Sequence, residues 1–176
     1  METIKKLQNL FNQFKFNKYI NHELLDLNFK TAYIAMNENL DDELIISCLF
    51  LNFGRFLNND QKKDINYTEI DVIGAEYLKQ FNITPRFYLI VSNFLEAKRY
   101  KCKKNINFFD ELCLVDKDAV IEKGGLMSIL DCAGFELQIF FKDYMKVLDC
   151  YINALNLKKK VPRFNFYIPI MLEMLQ

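Results

Sequence analysis

The chain has 176 residues, of which 51% are hydrophobic and 26% are charged. This length suits one domain that buries a single core without metals or disulfides, and the composition excludes a disordered chain. The 23 basic and 23 acidic residues balance, which excludes a general electrostatic attraction to nucleic acid or to an anionic membrane.

Apolar residues recur at helical spacing through most of the chain, which predicts an all-α fold of about seven to nine helices in one domain, residues 1–176. The first two predicted helices carry apolar faces made by Leu7, Leu10, Phe11 and Phe14, and by Leu24, Leu25, Phe29, Ala32 and Ala35. A third begins at Asn39 or Asp41 as N-cap. It is apolar on almost every side from Leu44 to Leu51, so we expect it to be central and buried.

A polar loop is predicted over Asn58–Asp64, followed by a helix from about Thr68 to Phe81. Thr84 and Pro85 form a helix start, with a capping threonine before a proline in the first helical position. We expect that helix to continue to about Tyr100. Asp116 is a candidate cap for a short helix, which Gly124 and Gly125 would end.

The last third of the chain is also expected to be helical. One helix is predicted over Phe135–Leu155, where Phe141, Tyr144, Leu148 and Tyr151 recur at helical spacing. A turn is predicted over Lys158–Pro162, and an apolar, partly helical segment over Phe164–Leu175.

The five cysteines are expected to be buried free thiols, because their number is odd and no two have a C-x-x-C spacing. They are Cys48, Cys102, Cys113, Cys132 and Cys150. No apolar run reaches the ~18–20 residues that span a bilayer, and the N-terminus has no signal-peptide pattern. We therefore expect a cytoplasmic protein that binds neither membrane nor nucleic acid.

Several phrases, in chain order, resemble the HD-domain mixed-valent diiron oxygenases that cleave carbon–phosphorus bonds in aminophosphonates. Asp41–Leu57 resembles the helix "DDELVVAALLHDIGHLL", Ile70–Leu78 resembles "HEEIGARYL", and Asn93–Tyr100 resembles "HVEAKRYL". Shorter matches are Lys30–Ala32 to "HALQTA", Lys123–Met127 to "QGGPM", Phe135–Glu136 to "FE", Tyr151–Ala154 to "DDxAK" and Phe166–Pro169 to "HYLP". The resemblance covers about residues 19–175 and implies an HD-like helical bundle.

The positions at which that family would place its metal ligands differ here. They hold Leu27, Leu51, Asn52, Ile70, Asn93 and Tyr151, and Arg55 stands where a further histidine is common. The single histidine, His22, falls at none of them. Since transition metals need imidazole, carboxylate or thiolate donors, we expect no metal site and no cofactor, and we expect Leu27, Leu51 and Ile70 to fill the former cavity.

The resemblance also suggests residues for an anion site. In the family, the lysine that matches Lys98 contacts the phosphonate, and Arg99 follows it. Lys123, Gly124 and Gly125 would add a cation and backbone amides close to an anion. A solvated helix end and a simple helix break are the structural alternatives for these two groups.

Three functions are compatible with these observations. The first is a catalytically inactive HD-fold protein, or pseudoenzyme, that binds a protein partner, which could be an active paralogue or a second copy. The second is a binder of a phosphate- or phosphonate-bearing metabolite through Lys98, Arg99 and the glycine pair. The third is a metal-free enzyme with a repurposed pocket, for which Glu96, Glu122 and Glu136 are unassigned carboxylates.

Overall fold

The computed structural model describes residues 2–16, 22–58 and 69–174, and within them it contains α-helices and short 3₁₀ turns but no strand. The predicted all-α class is therefore confirmed. The α-helices are α1 (Glu2–Phe16), α2 (His22–Asn37), α3 (Asp42–Leu49), α4 (Phe53–Asn58), α5 (Ile70–Leu78), α6 (Pro85–Ser92), α7 (Phe94–Lys104), α8 (Ile106–Glu111), α9 (Leu114–Glu122), α10 (Ile129–Glu136), α11 (Phe141–Leu155) and α12 (Ile168–Met174). The 3₁₀ turns are Lys79–Phe81 and Phe164–Tyr167.

Helix α3 lies at the centre of the bundle, as its apolar sequence predicts. Every residue from Leu44 to Leu51 is buried, and α3 packs against α2, α6, α11 and α12. Asp41 is the N-cap, and its side chain accepts a hydrogen bond from the backbone N–H of Leu44. At the other end, the Asn28 amide from α2 donates to the carbonyl oxygens of Leu49, at 3.2 Å, and Leu51. Both ends of this buried helix are thus satisfied by side chains.

Two further helix boundaries follow the predicted residues. Thr84 caps α6 by accepting from the backbone N–H of Phe87 at 3.1 Å, and Pro85 opens the helix. Helix α9 ends at Glu122, and after its C-cap residue Lys123 come Gly124 and Gly125, whose φ angles are +100° and +75°. The Gly125 N–H donates to the Val120 carbonyl at 2.8 Å, so these glycines provide the left-handed backbone that closes the helix.

The described residues form twelve α-helices rather than seven to nine, because three predicted helices are divided and the sequence pattern does not predict α8. The first division lies between α3 and α4, at Asn52, whose φ is +58°. The second lies at Asn93, between α6 and α7. The third separates α10 from α11 over residues 137–140. Apolar periodicity continues through each division because the segments on both sides face the same core.

The predicted cap at Asp116 is wrong. Cys113 is the N-cap residue of α9, and Asp116 lies inside the first turn of that helix with a fully buried side chain. The Asp116 carboxylate does not cap its own helix, because it pairs with cationic side chains from other helices.

Other predictions concern the cysteines, the connections and the membrane. All five cysteines are free; four are buried, and Cys113 is partly exposed. Helix α12 and the 3₁₀ turn before it confirm a partly helical C-terminal segment. The predicted polar loop after Asn58 and the helix start at Thr68 lie outside the described residues. Among the helices that the structure describes, none is long and apolar enough to cross a bilayer.

Candidate functional site: a buried ion-pair cluster

The interior of the bundle contains a cluster of four polar side chains centred on Asp116. Its Oδ1 accepts from Lys98 Nζ at 2.9 Å and from Arg55 Nη2 at 3.2 Å. Its Oδ2 accepts from the Tyr151 hydroxyl at 2.7 Å. The four residues come from α9, α7, α4 and α11, and all are buried. We call Arg55, Lys98, Asp116 and Tyr151 the central cluster.

Burial and neighbouring charges together set the protonation states of Asp116 and Tyr151 in the central cluster. Burial by itself would raise the pKa of Asp116, but the charges of Lys98 and Arg55, with hydrogen bonds from Lys98 and Tyr151, hold that pKa below its ordinary value. Burial, and next the Asp116 charge, raises the pKa of Tyr151 well above its ordinary value. Asp116 is therefore ionised and Tyr151 is a neutral donor at neutral pH.

Lys98 points into the protein because it shares the buried face of α7 with Phe94, Leu95 and Cys102. Its Nζ lies 4.1 Å from the ring centroid of Phe94 and 4.7 Å from that of Tyr151. The two ring faces and the Asp116 carboxylate together surround the ammonium group, which has a fractional side-chain exposure of 1%. Cation–π contacts of this desolvated kind are stronger than exposed ones.

A second buried carboxylate, Asp71 of α5, lies at the start of α7. Its Oδ2 accepts from the backbone N–H of Leu95 at 2.8 Å, while the helix's own N-cap residue, Asn93, makes no capping hydrogen bond. Asp71 Oδ1 has no hydrogen-bond partner within the described part of the chain. Burial raises the pKa of Asp71, and the charges of Lys98 and Arg55 oppose that rise. Asp71 thus caps α7 from a neighbouring helix.

We expect the stability gap between the wild type and Asp71→Asn to depend on pH. The amide oxygen of asparagine still accepts from Leu95, but it does not titrate. Because the folded-state pKa of Asp71 is raised, its stabilisation is complete below the unfolded value of about 3.9 and is lost as pH rises through the folded value. Urea unfolding across this pH range should show the wild type losing stability relative to Asp71→Asn.

Asp71→Ala is the companion variant. It removes the cap altogether and should be less stable than Asp71→Asn by about 1–2 kcal/mol of unfolding free energy at every pH, because neither variant titrates at this position. If Asp71→Asn is as unstable as Asp71→Ala throughout, the capping role assigned to Asp71 is wrong.

Several of the positions that the resemblance predicts as metal-ligand positions lie in the interior. Leu51, Asn52 and Ile70 are buried, as predicted for Leu51 and Ile70, and Tyr151 is a member of the central cluster. Leu27 is only partly buried and lines a groove of about 750 Å³ beside Cys113 and Leu114. The amide of Asn52 makes no hydrogen bond to any described residue. Among those residues, no three histidine, cysteine, aspartate or glutamate side chains converge as a metal-binding group.

The five residues predicted as an anion site do not form one group. Lys98 is directed into the central cluster, whereas Arg99 lies about 100° further around α7. Arg99 donates from Nε to the Gly125 carbonyl oxygen at 2.8 Å and pairs with Glu96 through Nη1 at 2.8 Å. Lys123 Nζ lies 3.9 Å from the other Glu96 oxygen. Arg99, Lys123, Gly124 and Gly125 therefore lie together in a group that we call the surface corner. The anion that its two cations bind is the Glu96 carboxylate of the same chain.

Sequence reasoning found Lys98 but missed its partner. The resemblance gives Arg55 only as a substitute for histidine, the helix pattern predicts Asp116 as a cap, and the sequence predicts no role for Asp71. One signal was available: Asp71, Lys98 and Asp116 each stand on a predicted helix at a position that its neighbours mark as apolar. Charged residues on apolar faces are seldom fully buried unless they are paired.

Comparison with known proteins gives one informative similarity. No protein-family model matches the chain. Hydroxymethylphosphonate dioxygenase from Gimesia maris is 27% identical over 118 residues, which cover 63% of this chain and 57% of that protein. The chain therefore matches little more than half of the length of this curated relative. The similarity and the all-helical architecture agree with the predicted resemblance to phosphonate-cleaving oxygenases.

Proposed function

We propose that this chain is a catalytically inactive protein of the HD type that acts by binding a protein partner, with an active relative as the first candidate partner. The observation that carries the proposal is the central cluster. The interior holds apolar side chains at the predicted ligand positions Leu51 and Ile70, and the carboxylate of Asp116 is paired with Arg55 and Lys98.

The residues at these positions do not fit a pair of transition-metal ions. Leu51 and Ile70 have no lone pair to donate, and the Asn52 amide is a neutral oxygen donor. The one ionised carboxylate of the central cluster, Asp116, already has two cationic partners within 3.2 Å. A metal cation placed beside it would face the charges of Lys98 and Arg55 in a medium of low dielectric constant, where repulsion is strong.

The geometry does not favour the small-molecule alternative. An anionic ligand could reach Lys98 only by separating it from Asp116 and leaving that carboxylate buried with fewer partners, which costs several kcal/mol. At the surface corner, a phosphate group would have to displace Glu96 from Arg99. Binding of a phosphorylated or phosphonate metabolite, and metal-free catalysis, stay predictions without a structural observation in their favour.

The proposal is tested with the purified chain and, as a positive control, the Gimesia maris relative. Both are assayed for turnover of hydroxymethylphosphonate and for thermal stabilisation by Fe²⁺ and Mn²⁺. We expect turnover by the control only, and no shift in the Tm of this chain with either metal. Turnover by this chain, or a saturable rise in its Tm with iron or manganese, would overturn the proposal that it is inactive.

The partner is tested separately. The chain is mixed with an active HD-type oxygenase encoded in its own genome, and the mixture is analysed by size-exclusion chromatography with light scattering. A complex of defined stoichiometry is the expected result. Separate elution at concentrations well above those in the cell would reject the active relative as the partner.

A further inference from the structure

Helix α10 has an aliphatic face on the side opposite its buried face. Cys132 and Phe135 point into the core, and Phe135 packs on Tyr100, Phe141 and Tyr144. The outward residues are again apolar, and four large aliphatic side chains in and after the helix are almost fully exposed. They are Ile129 at 80%, Leu130 at 82%, Leu137 at 86% and Ile139 at 84%.

These side chains are arranged as one surface. At 100° per residue, Ile129, Leu130, Ala133, Gly134 and Leu137 lie within about 140° of the helix circumference. Ala133 and Gly134 are exposed, and nothing lies within 4 Å of a Cβ built on Gly134. Asp131 and Glu136 border this surface on its two sides. We call Ile129, Leu130, Ala133, Gly134 and Leu137, together with the exposed Ile139 in the turn that follows the helix, the α10 face.

The acidic borders are paired within the same chain. Asp131 accepts from the Ser128 hydroxyl at 2.7 Å. Glu136 accepts from the Tyr100 hydroxyl at 2.7 Å and pairs with Lys104 Nζ at 2.8 Å. The α10 face thus has an uncharged centre and borders whose charges have local partners, which is the pattern of an interface core with a polar rim.

We propose that the α10 face binds the α10 face of a second copy of this chain, forming a two-fold symmetric dimer. An isologous contact requires a surface that is complementary to itself. An uncharged aliphatic face meets that requirement because it places no like charges opposite each other when two copies meet. Antiparallel packing about Ala133 would place Ile129 and Leu130 of one copy on Leu137 and Ile139 of the other.

The area of the α10 face is close to what a dimer needs. Its four large side chains expose roughly 650 Å² per copy, which is the most that they can bury, and bordering residues would supply the rest of the ~800 Å² per partner of a standard interface. Homodimer interfaces are also the more apolar class. A solvent-exposed aliphatic patch of this size is also at the upper end of what monomers carry. This inference goes beyond the proposed function, because the dimer would form whether or not the interior binds a metal.

The test compares the wild type with Leu130→Asp/Leu137→Asp by sedimentation velocity over a range of concentrations. The wild type should show a reversible monomer–dimer equilibrium. The double variant, which places four charges in the interface because each substitution occurs twice, should weaken it at least ~100-fold. Since both side chains are more than four-fifths exposed, the circular dichroism spectrum and monomer Tm should not change.

Ile106→Asp is the matched control. Ile106 is also an exposed aliphatic residue, at 74%, but it lies on α8, so this variant should dimerise like the wild type. A wild type that stays monomeric at every concentration overturns the inference, even if the α10 face binds some other protein. A dimer that survives the double substitution, or that Ile106→Asp disrupts equally, also overturns it.

Discussion

Lys98→Met should lower the free energy of unfolding at neutral pH by about 3–5 kcal/mol, which is the usual cost of removing one partner from a buried ion pair. Methionine is apolar and similar in length to the lysine stem, so packing against Phe94 and Tyr151 is largely retained. What is lost is the cation 2.9 Å from Asp116. Urea unfolding followed by circular dichroism measures the difference.

Lys101→Met is the matched control because it removes a lysine from the same helix. Lys101 pairs with Asp149 at 3.1 Å, but both side chains are substantially exposed. Exposed pairs contribute about 0–1 kcal/mol. Equal costs for the two substitutions would show that burial does not strengthen the Lys98–Asp116 pair.

The cost of Lys98→Met should also shrink in acid. In the wild type, Asp116 has a lowered folded-state pKa, so its stabilisation is present above the unfolded value of about 3.9 and is lost as pH falls through the folded value. Without Lys98, the Asp116 pKa is higher, and protonation removes the uncompensated charge. If the loss of unfolding free energy caused by Lys98→Met is the same at about pH 3 and at about pH 7, its cause is lost packing and not lost charge.

Gly54→Ala should destabilise the protein by about 3 kcal/mol or more, because α4 and α5 touch through their backbones. A Cβ on Gly54 would overlap the carbonyl oxygen of Ile70. Gly74 faces it, and a Cβ there would lie 2.6 Å from the backbone nitrogen of Gly54. Neither backbone atom can move aside as a flexible side chain does, so the two helices must separate. Thermal and urea unfolding measure the loss.

Gly134→Ala is the control for the general effect of replacing a helical glycine. No atom lies within 4 Å of its added methyl group in the described chain, so the substitution should stabilise the monomer by about 0.4–1 kcal/mol through the unfolded state. If Gly54→Ala also stabilises, or is neutral, the close approach of α4 and α5 is wrong.

These two glycines explain part of the family resemblance. Gly54 and Gly74 stand at the glycine positions of the quoted phrases "HDIGH" and "HEEIGARYL". In this structure both serve the packing of α4 on α5. The histidine positions of the quoted phrases hold other residues here, whereas both glycines match, so the phrases indicate architecture more strongly than chemistry.

The helix boundaries that could be predicted are those that local chemistry fixes. Asp41 and Thr84 cap α3 and α6 with their own side chains, and Gly124 and Gly125 supply a positive φ. The divisions at Asn52 and Asn93 could not be predicted, because neither residue is flanked by a glycine or proline and the apolar pattern runs through both. There the path of the chain depends on neighbouring helices, including the Asn28 amide and the Asp71 carboxylate.

Part of the candidate site could likewise be predicted from the sequence, and part depends on tertiary contacts. The sequence by itself determined the all-α class, the central position of Leu44–Leu51, the free thiols and the non-donor residues at Leu51 and Ile70, since composition, periodicity and residue type carry that information. Only the tertiary structure decided that Lys98 faces Asp116 while Arg99 faces Glu96 and Gly125. It also decided that Asp116 joins Arg55, Lys98 and Tyr151. These contacts join residues 18 to 61 positions apart in the chain. A charged side chain on an apolar helix face has no preferred partner until the helices pack and burial makes pairing necessary.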